Sequence, residues 1–395
     1  MADNSQGNEG TVFGGAARAS QYIEEDTWKR PPEGQEPAEE TAELDQFKAD
    51  IPAVSPLVVI PPWSSADAFA ESSLPTDSTS VLFGGPAAAS TATDSGKATT
   101  GFRGALARMG FPVKPSPEEV EARRVASARL AAETVVRQAT WTRAVSVLVN
   151  NPKGGTGKTP TAVILAGVIA SIRGGSTAVL EVSDDPGALG YRAEGNPKLG
   201  LGELVHDIDQ VKTAGRLHGY TAPQTSFADV IASTGRRDRL TGEAVISLCK
   251  VIDEFYGIRV MDSGNVTTSS AFQGAVSVAD VLVIPVMNAG DSVLEAIQLL
   301  EELREAGGQP QRLADAAIAI RLTDGRPENK AVSEEVARLL KEAGVTSLHE
   351  VPYDAHIAQR QQITLAKLAP ATRDAFTAAA AAVVISLKNT VSTDR

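Results

Sequence analysis

The stretch that most constrains the fold of this chain is Val145–Thr159. It opens with five mostly aliphatic residues, which is typical of a strand buried inside a parallel sheet. Three glycines follow between positions 154 and 157, and an apolar run typical of a helix begins at Thr161. Glycines let backbone N–H groups converge on an anion, and the positive end of a helix adds to the attraction. The stretch therefore predicts a strand, a phosphate-binding loop and a helix.

Two polar side chains at the end of the loop carry chemistry that suits a nucleotide. Lys158 can reach the β- and γ-phosphates, and the Thr159 hydroxyl can hold Mg²⁺. The strict pattern G-x-x-x-x-G-K-[ST] requires glycine at position 152, where this chain has Pro152, but a second lysine, Lys153, precedes the glycine pair. The alternative is a glycine-rich turn in which both lysines occur by chance.

The string from Asn151 to Thr159, Asn-Pro-Lys-Gly-Gly-Thr-Gly-Lys-Thr, resembles the deviant phosphate loop (deviant Walker A) of the ParA/MinD family of SIMIBI-class ATPases. The resemblance implies ATP and Mg²⁺ as cofactors. It also implies that Lys153 reaches the nucleotide of a partner subunit, so that activity requires an ATP-dependent homodimer. The nucleotide-binding residues that it implies in this loop are Gly154, Gly155, Thr156, Gly157, Lys158, Thr159 and Pro160. Pro160 stands where relatives usually have Thr or Ser, and proline is tolerated in a first helical turn.

Strand and helix patterns alternate from residue 145 onward, which predicts an α/β fold with a doubly wound, mostly parallel sheet around a P-loop NTPase core. We predict strands near residues 145–149, 177–182, 228–232, 258–262, 281–286, 315–321 and 347–350. The main predicted helices are 159–173, 242–255, 291–306, 331–343 and 371–388. The resemblance covers roughly residues 141–390, which we take as the ATPase domain.

The predicted strand 177–182 is followed by Ser183-Asp184-Asp185, which the resemblance places on the first switch of the family. In register, Asp185 takes the position of the aspartate that orients the attacking water, so it is our third catalytic candidate beside Lys153 and Lys158. Ser183 replaces the other switch aspartate and brings no charge near Mg²⁺; Asp184 or Glu181 are candidates to compensate. The alternative for the two aspartates is a helix or turn cap.

A second predicted strand ends at Asp262, where a Walker B carboxylate acts on Mg²⁺ directly or through water. Thr159 and Asp262 are therefore the predicted metal residues. Ser263-Gly264-Asn265 resembles the second switch. Near the C-terminus, Pro352 resembles the residue that packs near adenine, and residues 321–326 are the other predicted wall of that pocket. We expect His356 to be structural.

Residues 1–100 hold 16 acidic and 5 basic side chains, a net charge of −11 out of −12 for the whole chain. They contain few large apolar residues, and we predict that they are disordered. Two Phe-Gly-Gly motifs, at Phe13 and Phe83, and the apolar patch Leu57–Trp63 are either docking motifs for a protein partner or low-complexity coincidence.

Residues 101–140 are predicted to form a helical extension. Ser116 is the expected N-cap of a helix that ends near Gln138. Its apolar side is predicted to comprise Val120, Val125, Leu130, Ala131, Val135 and Val136. We expect the Arg-rich opposite side to face solvent, with membrane or nucleic-acid binding as the minority alternative.

The sequence contains one cysteine, no signal-peptide pattern and no run of about 18 apolar residues, so we expect a cytoplasmic protein without stable membrane insertion. The resemblance implies a slowly hydrolysing dimeric ATPase in DNA partitioning or in positioning a cellular or secretion machine. Arg360, Lys367 and Arg373 could provide a basic face for non-specific DNA, although a solvated helix surface is the simpler interpretation. The finer likeness is to actinobacterial ParA/MinD-like proteins associated with type VII secretion or conjugative plasmids. The alternative from another class is a degenerate nucleotide-binding adaptor with little or no turnover.

Overall fold

The computed structural model describes residues 96–393. Residues 1–95 of the predicted disordered segment, which include both Phe-Gly-Gly motifs and the apolar patch, lie outside the described residues. Eight strands form one sheet: β1 (Val145–Val149), β2 (Thr177–Val182), β3 (Ala222–Pro223), β4 (Ala228–Ile231), β5 (Ile258–Ser263), β6 (Val281–Met287), β7 (Ile318–Leu322) and β8 (Ser347–Val351). Their spatial order is β3-β4-β2-β5-β1-β6-β7-β8, and every pair is parallel except β3 with β4.

Thirteen α-helices lie in the described part of the chain. They are α1 (Gly101–Arg108), α2 (Pro117–Gln138), α3 (Lys158–Arg173), α4 (Leu189–Arg192), α5 (Leu201–Asp207), α6 (Ala214–Leu217), α7 (Gly242–Asp253), α8 (Ser270–Val278), α9 (Gly290–Ala306), α10 (Gly308–Asp315), α11 (Lys330–Glu342), α12 (Ala355–Ala358) and α13 (Pro370–Thr393). Within residues 96–393, none of these helices combines the length and the apolar character that a membrane span requires.

Two apolar layers sandwich the sheet because successive side chains of a strand point to opposite faces. Leu148 of β1 packs into the layer formed with α7, α8, α9, α10 and α11. Its neighbours Val147 and Val149 pack into the layer formed with α2, α3 and α13. The predicted doubly wound, mostly parallel α/β fold is therefore confirmed.

The seven predicted strands all occur, with shifts of three residues or fewer at their ends. The largest shift is at β7, which begins at Ile318 because α10 continues to Asp315. The main predicted helices did not include α8 and α10, which have nine and eight residues, or the shorter helices α4, α5, α6 and α12. The prediction also omitted the two-residue edge strand β3.

The extension helix α2 begins where predicted, and Ser116 Oγ accepts a hydrogen bond from Glu119 N. The predicted apolar side is wrong for four of its six residues. Val120, Val125, Leu130 and Ala131 are exposed, and Leu130 keeps 61% of its surface. Only the C-terminal turns reach the core, through Val136 and its neighbours, because α2 packs against α3 and α13 there.

Candidate nucleotide-binding site

The glycine loop leaves the centre of the sheet at the carboxyl end of β1. Chain connections run from β1 to β2 on one side, and from β5 across β1 to β6 on the other. Such a reversal of strand order leaves a crevice in which α/β proteins bind ligands. The N-terminus of α3, which begins at Lys158, points into this crevice and favours an anion.

Gly157 is required by its backbone and by its neighbour. Its φ of +90° lies in the left-handed region, and a Cβ here would overlap Leu322 Cδ1. Gly155 also has a positive φ of +82°, with open space around its missing side chain. The loop therefore keeps its backbone uncovered where a phosphate would approach.

Asn151 anchors the loop to neighbouring elements. Its buried side-chain amide donates to Pro285 O at 2.9 Å and to Ser292 O at 3.1 Å. Its Oδ1 accepts from Lys153 N at 3.0 Å. These bonds connect the loop to β6 and α9, an anchoring role that the local pattern alone could not reveal.

The Lys158 ammonium is held by oxygens of the protein. Nζ donates to Asn151 O at 2.7 Å, to Lys153 O at 3.1 Å and to Asn265 Oδ1. Burial lowers the pKa of Lys158 to about 8, and the negative charge of Asp262 partly opposes this shift. An anionic ligand would stabilise the charged ammonium, so the site favours binding of a phosphate.

Thr159 and Asp262 meet directly. Thr159 Oγ1 donates to Asp262 Oδ2 at 2.8 Å, while Asp262 Oδ1 is buried and finds no hydrogen-bond donor among residues 96–393. Burial raises the pKa of Asp262 to about 7, and the nearby Glu181 adds to the increase. A hydroxyl and a carboxylate with an unsatisfied oxygen form a donor set that fits Mg²⁺.

Lys153 lies at the exposed rim of the loop. Its Nζ is 2.8 Å from Asp291 Oδ2 in the first turn of α9, and this pairing raises the pKa of Lys153. The lysine keeps 42% of its side-chain surface, so its ammonium is accessible from outside the subunit.

The segment after β2 is held by Arg237, whose side chain is almost fully buried. Arg237 donates to the carbonyls of Asp184 at 2.6 Å, Ser183 at 2.7 Å and Asp185 at 3.2 Å. No local pattern predicts this contact, because Arg237 is more than 50 residues away in sequence. The Asp185 carboxylate is exposed and lies 3.3 Å from Arg239 Nε. It forms no ion pair with either lysine of the glycine loop in the described residues.

The segment after β5 is tied to β1. Asn150 Nδ2 donates to Ser263 Oγ at 2.6 Å and to Gly264 O at 3.0 Å, and Ser263 Oγ donates to Val149 O at 2.7 Å. This short network holds the start of the predicted second switch beside the loop. The next residue, Asn265, accepts a hydrogen bond from Lys158 Nζ.

The two predicted walls of the adenine pocket lie at different distances from β1 in the sheet. Pro352 follows β8, the edge strand three places from β1, whereas the segment 321–326 begins in β7, whose last residue, Leu322, lies against Gly157. The Tyr353 ring packs on Gly325, and His356 Nε2 accepts a hydrogen bond from Thr364 N.

Comparisons with known proteins identify structural neighbours. No family model matches the chain, and no curated protein matches it. A ParA family ATPase from Chlorobium tepidum superposes with a TM-score of 0.46 at 17% identity, over 63% of this chain and 96% of that one. An ATP complex of a McdA variant from Cyanothece superposes with a TM-score of 0.45 at 17% identity, over 61% of this chain and 96% of that one. The cell division protein MinD from Aquifex aeolicus superposes with a TM-score of 0.44 at 16% identity, over 60% of this chain and 95% of that one.

Proposed function

We propose that this protein is a cytoplasmic, ATP-binding and slowly ATP-hydrolysing switch of the ParA/MinD type. The observation that carries the proposal is the contact between Thr159 and Asp262. The hydroxyl and the carboxylate meet beside a glycine loop, and Asp262 keeps one buried oxygen without a donor in residues 96–393. A bound cation would satisfy that oxygen, and a nucleotide would bring both the cation and the phosphates that Lys158 can neutralise.

Each residue of the loop has a defined task in this proposal. Backbone N–H groups from Gly154 to Thr159, together with the N-terminus of α3, bind the phosphate oxygens. Lys158 Nζ gives up its hydrogen bonds to the carbonyls of Asn151 and Lys153 and donates instead to oxygens of the β- and γ-phosphates. Thr159 and Asp262 hold Mg²⁺, which supplies positive charge to the phosphoryl group being transferred.

Hydrolysis in this proposal needs two further residues. Lys153 leaves Asp291 and reaches the nucleotide of the partner subunit, which its exposed position allows. Asp185 turns from Arg239 toward the nucleotide and orients water, and the exposure of both side chains makes that rotation inexpensive. The ATP-dependent homodimer is then the active form, and loss of the γ-phosphate releases it.

A second candidate is a nucleotide-holding adaptor with negligible turnover. Two observations favour it: Ser183 brings no charge to the switch, and the Asp185 carboxylate pairs with Arg239 at the surface. The adaptor predicts ATP binding without hydrolysis and no loss of function when Asp185 is replaced by Ala.

The cellular role that we propose is DNA partitioning or the positioning of a cellular or secretion machine. Arg360, Lys367 and Arg373 are exposed near the start of α13, so they are available for non-specific DNA. DNA binding through them should weaken steeply with salt.

The test is ATP turnover by purified wild type, Lys153→Ala and Lys158→Ala, with and without duplex DNA, combined with light scattering in ATP. Lys330→Ala is the matched control, because Lys330 is 85% exposed and only pairs with Glu334. We expect slow wild-type turnover, an ATP-driven dimer, and loss of turnover in the two loop variants alone. ATP binding by a monomer without turnover would favour the adaptor, and no ATP binding would refute both candidates.

A further inference from the structure

Two buried acidic residues are paired across neighbouring strands at the site. Glu181 of β2 and Asp262 of β5 are register partners in the parallel ladder, so their side chains leave the same face of the sheet. Glu181 is 1% exposed and Asp262 is 5% exposed. Two acids so placed repel each other unless something positive or a proton separates them.

The bonds of Glu181 occupy only one of its oxygens. Oε1 accepts from Gly187 N at 3.1 Å, from Ser233 Oγ at 2.5 Å and from Arg237 Nη2 at 3.0 Å. Glu181 Oε2 and Asp262 Oδ1 are both buried without a hydrogen-bond partner in the described part of the chain. Buried carboxylate oxygens are costly to leave unpaired, so an unpaired oxygen on each of these two register partners leaves a place for a positive ligand beyond Arg237.

Glu181 lies close to the position of Ser183, which directly follows β2. Both side chains border Gly187, where an added Cβ would be 3.3 Å from Ser183 Oγ and 3.5 Å from Glu181 Oε2. Ser183 uses its hydroxyl to donate to Asp185 O at 2.7 Å and carries no charge. The glutamate side chain is longer than that of aspartate, so it can project from an earlier position toward the same edge.

We propose that Glu181 supplies the second carboxylate of a divalent-cation site formed with Thr159 and Asp262, in place of the charge that Ser183 lacks. This inference rests on the proposed nucleotide binding. No group of three or more His, Cys, Asp or Glu side chains suited to a metal occurs in residues 96–393. The cation therefore takes its other ligands from phosphate oxygens and water, which is the usual arrangement for Mg²⁺ beside a nucleotide.

A purely structural role for Glu181 is the competing explanation. The carboxylate forms a buried ion pair with Arg237, which holds the backbone of residues 183–185. That role accounts for Oε1 and leaves Oε2 unexplained. The experiment must therefore separate loss of the ion pair from loss of a cation ligand.

The experiment measures Mn²⁺ affinity by electron paramagnetic resonance on full-length protein saturated with ADP. It compares wild type with Glu181→Gln, Ser183→Asp and the double variant, each with its melting temperature and its cation-free ADP affinity. We expect Glu181→Gln to weaken Mn²⁺ binding about 10- to 100-fold. ADP affinity without cation should stay close to wild type, and the double variant should recover most of the Mn²⁺ affinity because Ser183→Asp returns a carboxylate to the site.

Unchanged Mn²⁺ affinity in a folded Glu181→Gln variant would overturn the inference while leaving nucleotide binding intact. Weakened affinity that Ser183→Asp does not recover would also overturn it, and would assign Glu181 to the support of Arg237. If wild type binds no ADP, the proposed function itself fails. Should Glu181→Gln not fold, infrared difference spectra of wild type labelled with ¹³C-glutamate decide the matter: a glutamate carboxylate band that shifts on Mg²⁺ addition is expected, and no shift refutes the inference.

Discussion

Lys153 and Asp291 form an ion pair across the rim of the loop, with 2.8 Å between Nζ and Oδ2. Both side chains are substantially exposed, so solvent screens the pair and its attraction is weak. The contact nevertheless decides where the ammonium points in a single subunit. In the proposed dimer the same ammonium must leave Asp291 to reach the partner's nucleotide, so the pair opposes dimer formation weakly.

Replacing Asp291 with Asn should therefore tighten the ATP-dependent dimer. We expect a roughly two- to fivefold lower dimer dissociation constant in ATP, because a solvent-exposed ion pair contributes only a weak attraction. Analytical ultracentrifugation at a series of protein concentrations measures this dimer dissociation constant. Glu334→Gln removes the comparable surface pair with Lys330 and is the control. A weaker dimer in Asp291→Asn would contradict the prediction.

Asn265 Oδ1 accepts a hydrogen bond from the ammonium of Lys158. The Asn265 side chain therefore competes with a phosphate for that ammonium. Asn265→Ala should increase ADP affinity about three- to tenfold, since a hydrogen bond to a charged group contributes about 1.5–3 kcal/mol and solvent reduces it here. Fluorescent ADP titration measures the change, with the exposed Thr268→Ala as control. Weaker binding in Asn265→Ala would mean instead that the amide contacts the nucleotide.

Gly157→Ala should destabilise the fold and abolish nucleotide binding. A left-handed φ costs a non-glycine residue about 1–3 kcal/mol, and the new methyl group would also overlap Leu322. Urea unfolding of the two single variants and of Gly157→Ala with Leu322→Ala separates these effects. We expect the double variant to be at least about 0.5 kcal/mol more stable than additivity predicts. Strict additivity would show that Leu322 does not limit the site.

His349 on β8 should make stability depend on pH. Burial lowers its pKa from an ordinary value near 6.5 to about 4, so the unfolded chain binds a proton before the folded protein does. The stability that this group contributes is present above pH 6.5 and is lost as pH falls toward 4, by roughly 3 kcal/mol at most.

Urea unfolding at pH 7, 6, 5 and 4.5 tests this linkage. His349→Asn should lose less stability than wild type over the same range, because it removes the group that takes up the proton. Parallel profiles for the two proteins would assign the acid sensitivity to other groups.

Local patterns were sufficient for the strands and for the loop itself. Alternating and continuous apolar runs reproduced seven strands, and the spacing of Lys158 and Thr159 placed both residues at the start of α3. They failed for the apolar side of α2, where Val120 and Leu130 are exposed because no element covers them among residues 96–393. An apolar pattern predicts a face but not the partner that buries it.

The sequence by itself determined the class of sheet and the unit of strand, glycine loop and helix from β1 to α3, because both depend on residues adjacent in the chain. Only the tertiary structure decided which distant groups complete the site. Leu322 reaches Gly157 and Arg237 reaches the backbone after β2, although each pair is separated by tens of residues. Glu181 meets Asp262 because β2 and β5 are neighbours in register. Strand order brings such groups together, and it is selected by the packing of the whole core rather than by any local stretch.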